Sequence, residues 1–171
     1  MNSIIRKARK GDAKGVVESR NEGIERGFYI YTGTNEPLNI KDIRRYDKGY
    51  ARKKKNQFVF LAIDKDTKKV AGVCSFNASE HGRTRHVGIL GWGVHPDYPR
   101  RGIATKLLKA VLKEAKKRGF KKVEAEVAVG NIASIKLAKK CGFALEGRKR
   151  AGILLDDGTY MDTYIFGKII N

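Results

Sequence analysis

Two cysteines, three prolines and one tryptophan in 171 residues put several classes of protein out of reach. Cys74 and Cys141 are too few for a disulfide framework and lack metal-ligand spacing, so a reducing, cytoplasmic setting is expected and no metal is. Both thiols read as small core residues. With few prolines and no Ser-, Gln- or Gly-rich tract, no linker is visible, and 1–171 reads as a single domain. No apolar run approaches the ~18 residues of a membrane span, and the first nine residues carry charge where a secretion signal needs an apolar core. Acidic side chains are scarce as well: 18 Asp and Glu stand against 37 Lys and Arg, a formal charge of +19. Residues 1–60 hold 15 basic and 7 acidic groups, 61–120 hold 13 and 5, and 121–171 hold 9 and 6, so the excess is not a detachable tail. Acidic partners are therefore the first expectation, whether nucleic acid, anionic lipid or a phosphate-rich small molecule.

Hydrophobic residues at 41% suffice for a sizeable core, and their spacing alternates between two periods. A short apolar start at Ile4 and Ile5 precedes a helix that Asp12 can cap, and Asn39 can cap a second, from Ile40 to about Lys55. Phe58–Ile63 and Val70–Phe76 read as a hairpin, and Val87–Val94 as a strand buried on at least one side. Beyond His95-Pro96-Asp97-Tyr98-Pro99, the residues Ile103, Leu107, Leu108, Val111, Leu112 and Ala115 outline a strong helix ended by Gly119. Val123, Ala125, Val127 and Val129 alternate as the next strand, a short helix closes on Gly142, and two strands finish the chain around a turn at 156–159. The order β-α-α-β-β-β-α-β-α-β-β predicts an α/β or α+β sheet with helices on both faces.

The chemistry concentrates between Leu90 and Thr105. A buried strand, a tight turn through Arg100-Arg101-Gly102 and a helix start leave several backbone N–H groups free, where the helix dipole also favours an anion. Gly102 and Ala104 are small enough for close approach, and two arginines add charge, an arrangement suited to a pyrophosphate. The plainer reading is a helix-start glycine flanked by solvated arginines. Walker and Gly-x-Gly-x-x-Gly fingerprints are absent.

This stretch, "GWGVHPDYPRRGIATKLLKAVLKEAKKRGF", resembles the Arg/Gln-x-x-Gly-x-Gly/Ala segment of the GNAT superfamily of acetyl-CoA-dependent N-acetyltransferases. Downstream, "VEAEVAVGNIASIKLAKKCGFALEGRKR" is similar to that family's second motif, and both chain ends look like the ends of its fold. The resemblance implies a mostly antiparallel sheet with a central, splayed parallel strand pair. It implies that Val94 and His95 offer strand backbone to the pantetheine arm, that the N–H groups of Arg101, Gly102, Ile103, Ala104 and Thr105 hold the pyrophosphate, and that Asn131 bonds the pantetheine near its reactive end. Two departures stand out. The family's first Arg or Gln falls on Pro99, so Arg100 is left to compensate. The Tyr that many members use as acid falls on Ala138, which leaves Ser134 as a candidate acid, as in the branch resembling ribosomal-protein N-terminal acetyltransferases, or else as a serine bonding local backbone.

The resemblance implies direct attack of a primary amine on the thioester, in a ternary complex, with a small amine, an amino acid or a protein N-terminus as acceptor. His86 is the expected base by position. His95, before Pro96, reads as a turn or surface residue. Glu124 and Glu126 alternate opposite the strand's valines, either as a salt-bridged face or as a water-mediated base. Phe28, Tyr29 and Tyr31 form a candidate pocket wall, and Tyr160 and Tyr164 either line the acceptor pocket or belong to the core. Trp92 reads as packing. The competing reading is a basic nucleic-acid- or ribosome-binding module without catalysis, although no RNP pattern, zinc set or helix-turn-helix signature supports it. The lysine excess also fits thermal adaptation. A homodimer is a family-level expectation.

Overall fold

A computed structural model of the chain describes residues 3–27, 31, 36–52 and 54–171. Seven strands and four helices follow the expected order: β1 (Ser3–Lys7), α1 (Ala13–Glu25), α2 (Ile40–Ala51), β2 (Gln57–Asp64), β3 (Val70–Ala78), β4 (Val87–Val94), α3 (Ile103–Lys117), β5 (Lys122–Ala128), α4 (Ile132–Lys140), β6 (Ala144–Leu154) and β7 (Tyr160–Ile169). The strands form one sheet in the order β1-β2-β3-β4-β5-β7-β6. Every neighbouring pair is antiparallel except β4 and β5, which run parallel.

Strand alternation assigns each side chain to one of two faces. Phe58, Phe76, Leu90, Val123, Ala125 and Phe166 point to the face covered by α3 and α4, and with Leu107, Leu108 and Val111 they form the main core. On the other face Val16 of α1 meets Leu61 and Val70, a smaller cluster. Alternation puts Val70 and Ala71 on opposite faces, so β3 contributes to both clusters, and the register shift at Ala62/Ile63 leaves Ala71 and Gly72 together on the α3 side. Both cysteines belong to the main core, Cys74 fully buried and Cys141 packed against it.

One of the two expected helix caps is made and the other is not. Asn39 caps α2 by a full capping box with Asp42. Asp12, although at the N-cap of α1, makes no side-chain cap bond, because Arg6 takes its carboxylate in a bidentate pair at 2.6 and 2.8 Å and the Arg9 N–H takes it at 2.8 Å. Strand β6 also runs four residues past its expected end at 150, carried by a register shift between Lys149 and Ile153. Helix α2 makes its main contacts with α1 and touches the sheet-side cluster of Leu61 and Val70 through Tyr46 and Tyr50, with none of its residues fully buried. No helix among the described residues is long and apolar enough to cross a membrane.

Candidate active site

The parallel pair β4/β5 is short. Register holds for Val87–Ile89 against Lys122–Glu124 and stops there, although both strands continue. Beyond that point β4 stays on β3, with Val94 opposite Gly72, and β5 stays on β7, with Ala128 opposite Thr163, so the two strands part toward their C-terminal ends. The His95 N–H reaches back to Ala71 O at 3.0 Å. Since consecutive strand residues present their backbone to opposite edges, Trp92 and Val94 turn theirs toward the gap. Val94 is therefore placed as expected, whereas the His95 N–H is already committed to β3.

One lip of the gap is the start of α3. The turn before it takes left-handed backbone at Arg100 (φ 57) and Gly102 (φ 70), a nest-like path that directs successive N–H groups to one side. Gly102 is the N-cap and offers no side-chain acceptor; the first intrahelical bond is Lys106 N–H to Gly102 O at 3.1 Å. The N–H groups of Ile103, Ala104 and Thr105 precede it and have no acceptor within the helix. Forgoing a side-chain cap costs about 1 kcal/mol. Five buried residues, Ile103, Leu107, Leu108, Val111 and Ala115, hold the helix at roughly 1.5–3 kcal/mol for each large side chain, so packing can leave the N-terminus bare. No atom lies within 4 Å of a Cβ built on Gly102, which leaves the approach open. Arg100 and Arg101 are exposed beside it, Arg101 lying over the Tyr98 ring at 5.5 Å. These features fit a pyrophosphate.

The opposite lip is β5 and α4. Asn131 caps α4 through Oδ1, which accepts the Ser134 N–H at 3.0 Å, and no partner is recorded for its Nδ2 or for Ser134 Oγ among the described residues. Both residues border a cleft of about 990 Å³ between α2 and the sheet. Glu126, two residues past the last β4/β5 pair, stands in the same cleft. Its Oε1 accepts from the buried Thr163 Oγ1 at 2.6 Å, which fixes the carboxylate, and Lys149 Nζ lies 3.5 Å away. Glu124 instead pairs with Lys122 at 2.8 Å. Tyr31 lines the Glu126 end, where partial burial first and the Glu126 charge second push its phenol up to about 12. Phe28 and Tyr29, expected beside it, lie outside the described residues.

Two expectations need correction. His86 sits at the far end of β4, exposed, with Nδ1 3.0 Å from Arg83 O and its carbonyl accepting from Lys121 and Lys122 where the strands are still paired. Eight residues of strand, roughly 26 Å, separate it from Val94, which removes it from the reacting end. His95 is not a surface residue but buried, 2% exposed. Its Nδ1 accepts the Asp97 N–H at 3.1 Å, so Nε2 carries the proton and donates to Glu22 at 2.7 Å. The Glu22-His95-Asp97 cluster thus ties α1 to the turn before α3. Tyr160 is 68% exposed and Tyr164 packs against the core, so neither lines the cleft.

The model of the Acetyltransferase (GNAT) family matches residues 22–143, which includes both lips of the gap. The chain belongs to this family. Among solved structures, the GNAT acetyltransferase from Streptococcus pneumoniae superposes with a TM-score of 0.86 at 26% identity, over 99% of this chain and 100% of that one. A GNAT superfamily phosphinothricin acetyltransferase from Sinorhizobium meliloti, in complex with acetyl-CoA, shares the fold at a TM-score of 0.84 and 20% identity, over 100% and 90% of the two chains. The L-amino acid N-acetyltransferase AaaT of Escherichia coli (strain K12) is 28% identical over 101 residues, 58% of this GNAT chain. The match covers 62% of that relative, so the chain spans less than two thirds of its length.

Proposed function

We propose that the protein is an acetyl-CoA-dependent N-acetyltransferase whose acceptor is a primary amine of an amino acid or of a protein N-terminus. The observation that carries this reading is the gap between β4 and β5, with a bare helix N-terminus on one lip and an oriented carboxylate on the other. The N–H groups from Arg101 to Thr105 and the Arg100 side chain hold the pyrophosphate, and the backbone of Val94 and Nδ2 of Asn131 hold the pantetheine arm. Bound in this way, acetyl-CoA supplies an activated thioester. The cleft delivers the acceptor amine to it, and Glu126, directly or through one water, takes the proton the ammonium must lose. The amine lone pair attacks the carbonyl carbon, the C–S bond breaks, and the second proton on the attacking nitrogen passes through Ser134 Oγ to the departing sulfur, which leaves an amide and the CoA thiol. Glu126 replaces His86 as the base in this account.

The test is turnover by release of CoA thiol, together with the shift in melting temperature on adding acetyl-CoA. Glu126→Gln should lower kcat by about 10²-fold or more and leave the acetyl-CoA shift intact, since general-base catalysis contributes about 10²–10⁴-fold. Ser134→Ala should lower turnover more than affinity. No shift at millimolar acetyl-CoA, or an E126Q enzyme with unchanged turnover, overturns the corresponding assignment.

A further inference from the structure

We propose that the acceptor is an extended acidic polypeptide, whose N-terminal amine meets Glu126 and whose carboxylates, several residues on, meet the basic rim at the other end of the cleft. This rests on the acetyltransferase reading above and deepens it. The first argument is length. The cleft runs under α2 across the sheet, from Glu126 on β5 over Gly91 and Ser75 to Val59, and reaches Ala8 beyond β1. At ~4.8 Å per strand, the four steps from β5 to β1 span on the order of 20 Å. An extended chain covers that with about six residues at ~3.3 Å each, whereas a single amino acid fills only the Glu126 end.

The second argument is charge, which is ordered along the cleft. Glu126 stands where the ammonium arrives. The middle is walled by Tyr46 and Tyr50, stacked at 6.1 Å, and floored by Val59 and Val73. Arg20 reaches Tyr46 Oη at 3.1 Å and steadies that wall. The exit carries Arg9, Lys10 and Arg52, all exposed. Lys10 and Arg52 have no ion-pair partner among the described residues, whereas Arg9 gives Asp12 its backbone N–H and its charge also acts on that carboxylate. With Asp47 the single acid beside Lys10 and Arg52, the net positive exit attracts a carboxylate-bearing chain and repels a basic one such as a polyamine. The third argument is access: α2 makes its main contacts with α1 and meets the sheet side through Tyr46 and Tyr50, the same rings that wall the cleft, so a chain laid in the cleft runs along them.

The experiment measures thiol release at saturating acetyl-CoA with three hexapeptides that share one N-terminal residue and carry acidic, neutral or basic residues at positions four to six, beside free amino acids. The acidic peptide should be favoured at least tenfold in kcat/KM, chiefly through KM. The double variant Lys10→Glu, Arg52→Glu should erase or invert that order. Lys113→Glu, on the exposed side of α3 across the sheet, should preserve it, which separates the local rim from the +19 of the whole chain. Equal turnover of the three peptides, turnover of free amino acids alone, or inhibition by single-stranded RNA without peptide preference overturns the inference and leaves the acetyltransferase reading standing. No thiol from any amine, despite a thermal shift with acetyl-CoA, overturns both.

Discussion

Gly102 shows how one residue governs a ligand site by what it omits. A side chain there would meet no neighbour, yet φ 70 is strained for any residue with a Cβ, and most for a β-branched one. Gly102→Val should therefore abolish the acetyl-CoA-induced melting shift while the unliganded protein keeps its secondary structure by circular dichroism; an unchanged shift would locate the pyrophosphate elsewhere. The left-handed turn at Gly102 was legible in sequence because a glycine between a strand and an apolar helix has few local uses. The placement of His86, His95 and Glu126 was not. All three sit on or beside strands, where residue type fixes neither which end of the strand meets the gap nor which face lies beneath α2. His95 is buried because Glu22, 73 residues away, supplies an acceptor for its ring, and no local pattern announces such a partner. Glu126 separates from Glu124 only because the strands part between them.

At the scale of elements, local chemistry was a good guide wherever a cap or stop is complete within a few residues. Helices α3 and α4 end alike: Gly119 (φ 87) and Gly142 (φ 79) take left-handed backbone, and the N–H groups of Phe120 and Phe143 return to Ala115 O and Ala138 O at 3.1 and 3.0 Å. Both stops are written as Gly-Phe, and both phenylalanines are buried. The guide failed for Asp12, where a distant arginine outbid the helix, and for β6, whose extension depends on pairing with β7. The same dependence explains Gly88, which no sequence pattern marks as critical. A Cβ at Gly88 would lie 1.9 Å from Phe76 Cζ, and Phe76 is itself held between Phe58, stacked on it at 4.6 Å, and Phe120, tilted against it at 4.7 Å. Gly88→Ala should destabilise the fold by about 1–3 kcal/mol in urea denaturation through overpacking. A loss below ~0.5 kcal/mol would mean that the aromatic cluster can yield.

Across the whole molecule, Glu114 links three parts of the chain. Burial acts to raise its pKa, but the bonds from Lys7 on β1 (2.6 Å) and from Arg118 (2.7 Å) outweigh it and hold the carboxyl below the usual 4.5. Arg118 also donates to Lys54 O and Lys55 O, ahead of β2. A carboxyl with a depressed pKa contributes stability above its unfolded pKa and loses it as pH falls through the folded one. The melting-temperature gap between wild type and Glu114→Gln should thus be largest above about pH 4.5 and shrink as the pH falls further; a gap constant down to pH 3 would dismiss the network. The charge of +19 acquires structure at this scale too. Part surrounds the turn ahead of α3, where ten basic residues from Arg100 to Lys122 accompany the single Glu114, and part lines the exit of the cleft. The sequence by itself determined the order of the elements, their stops and the glycine turn ahead of α3, because helix periodicity, strand alternation and Gly-Phe stops act over a few residues. Only the tertiary structure decided where β4 leaves β5, that Glu126 and not His86 meets the gap, and that α2 roofs a long cleft, since each depends on groups brought together from distant parts of the chain.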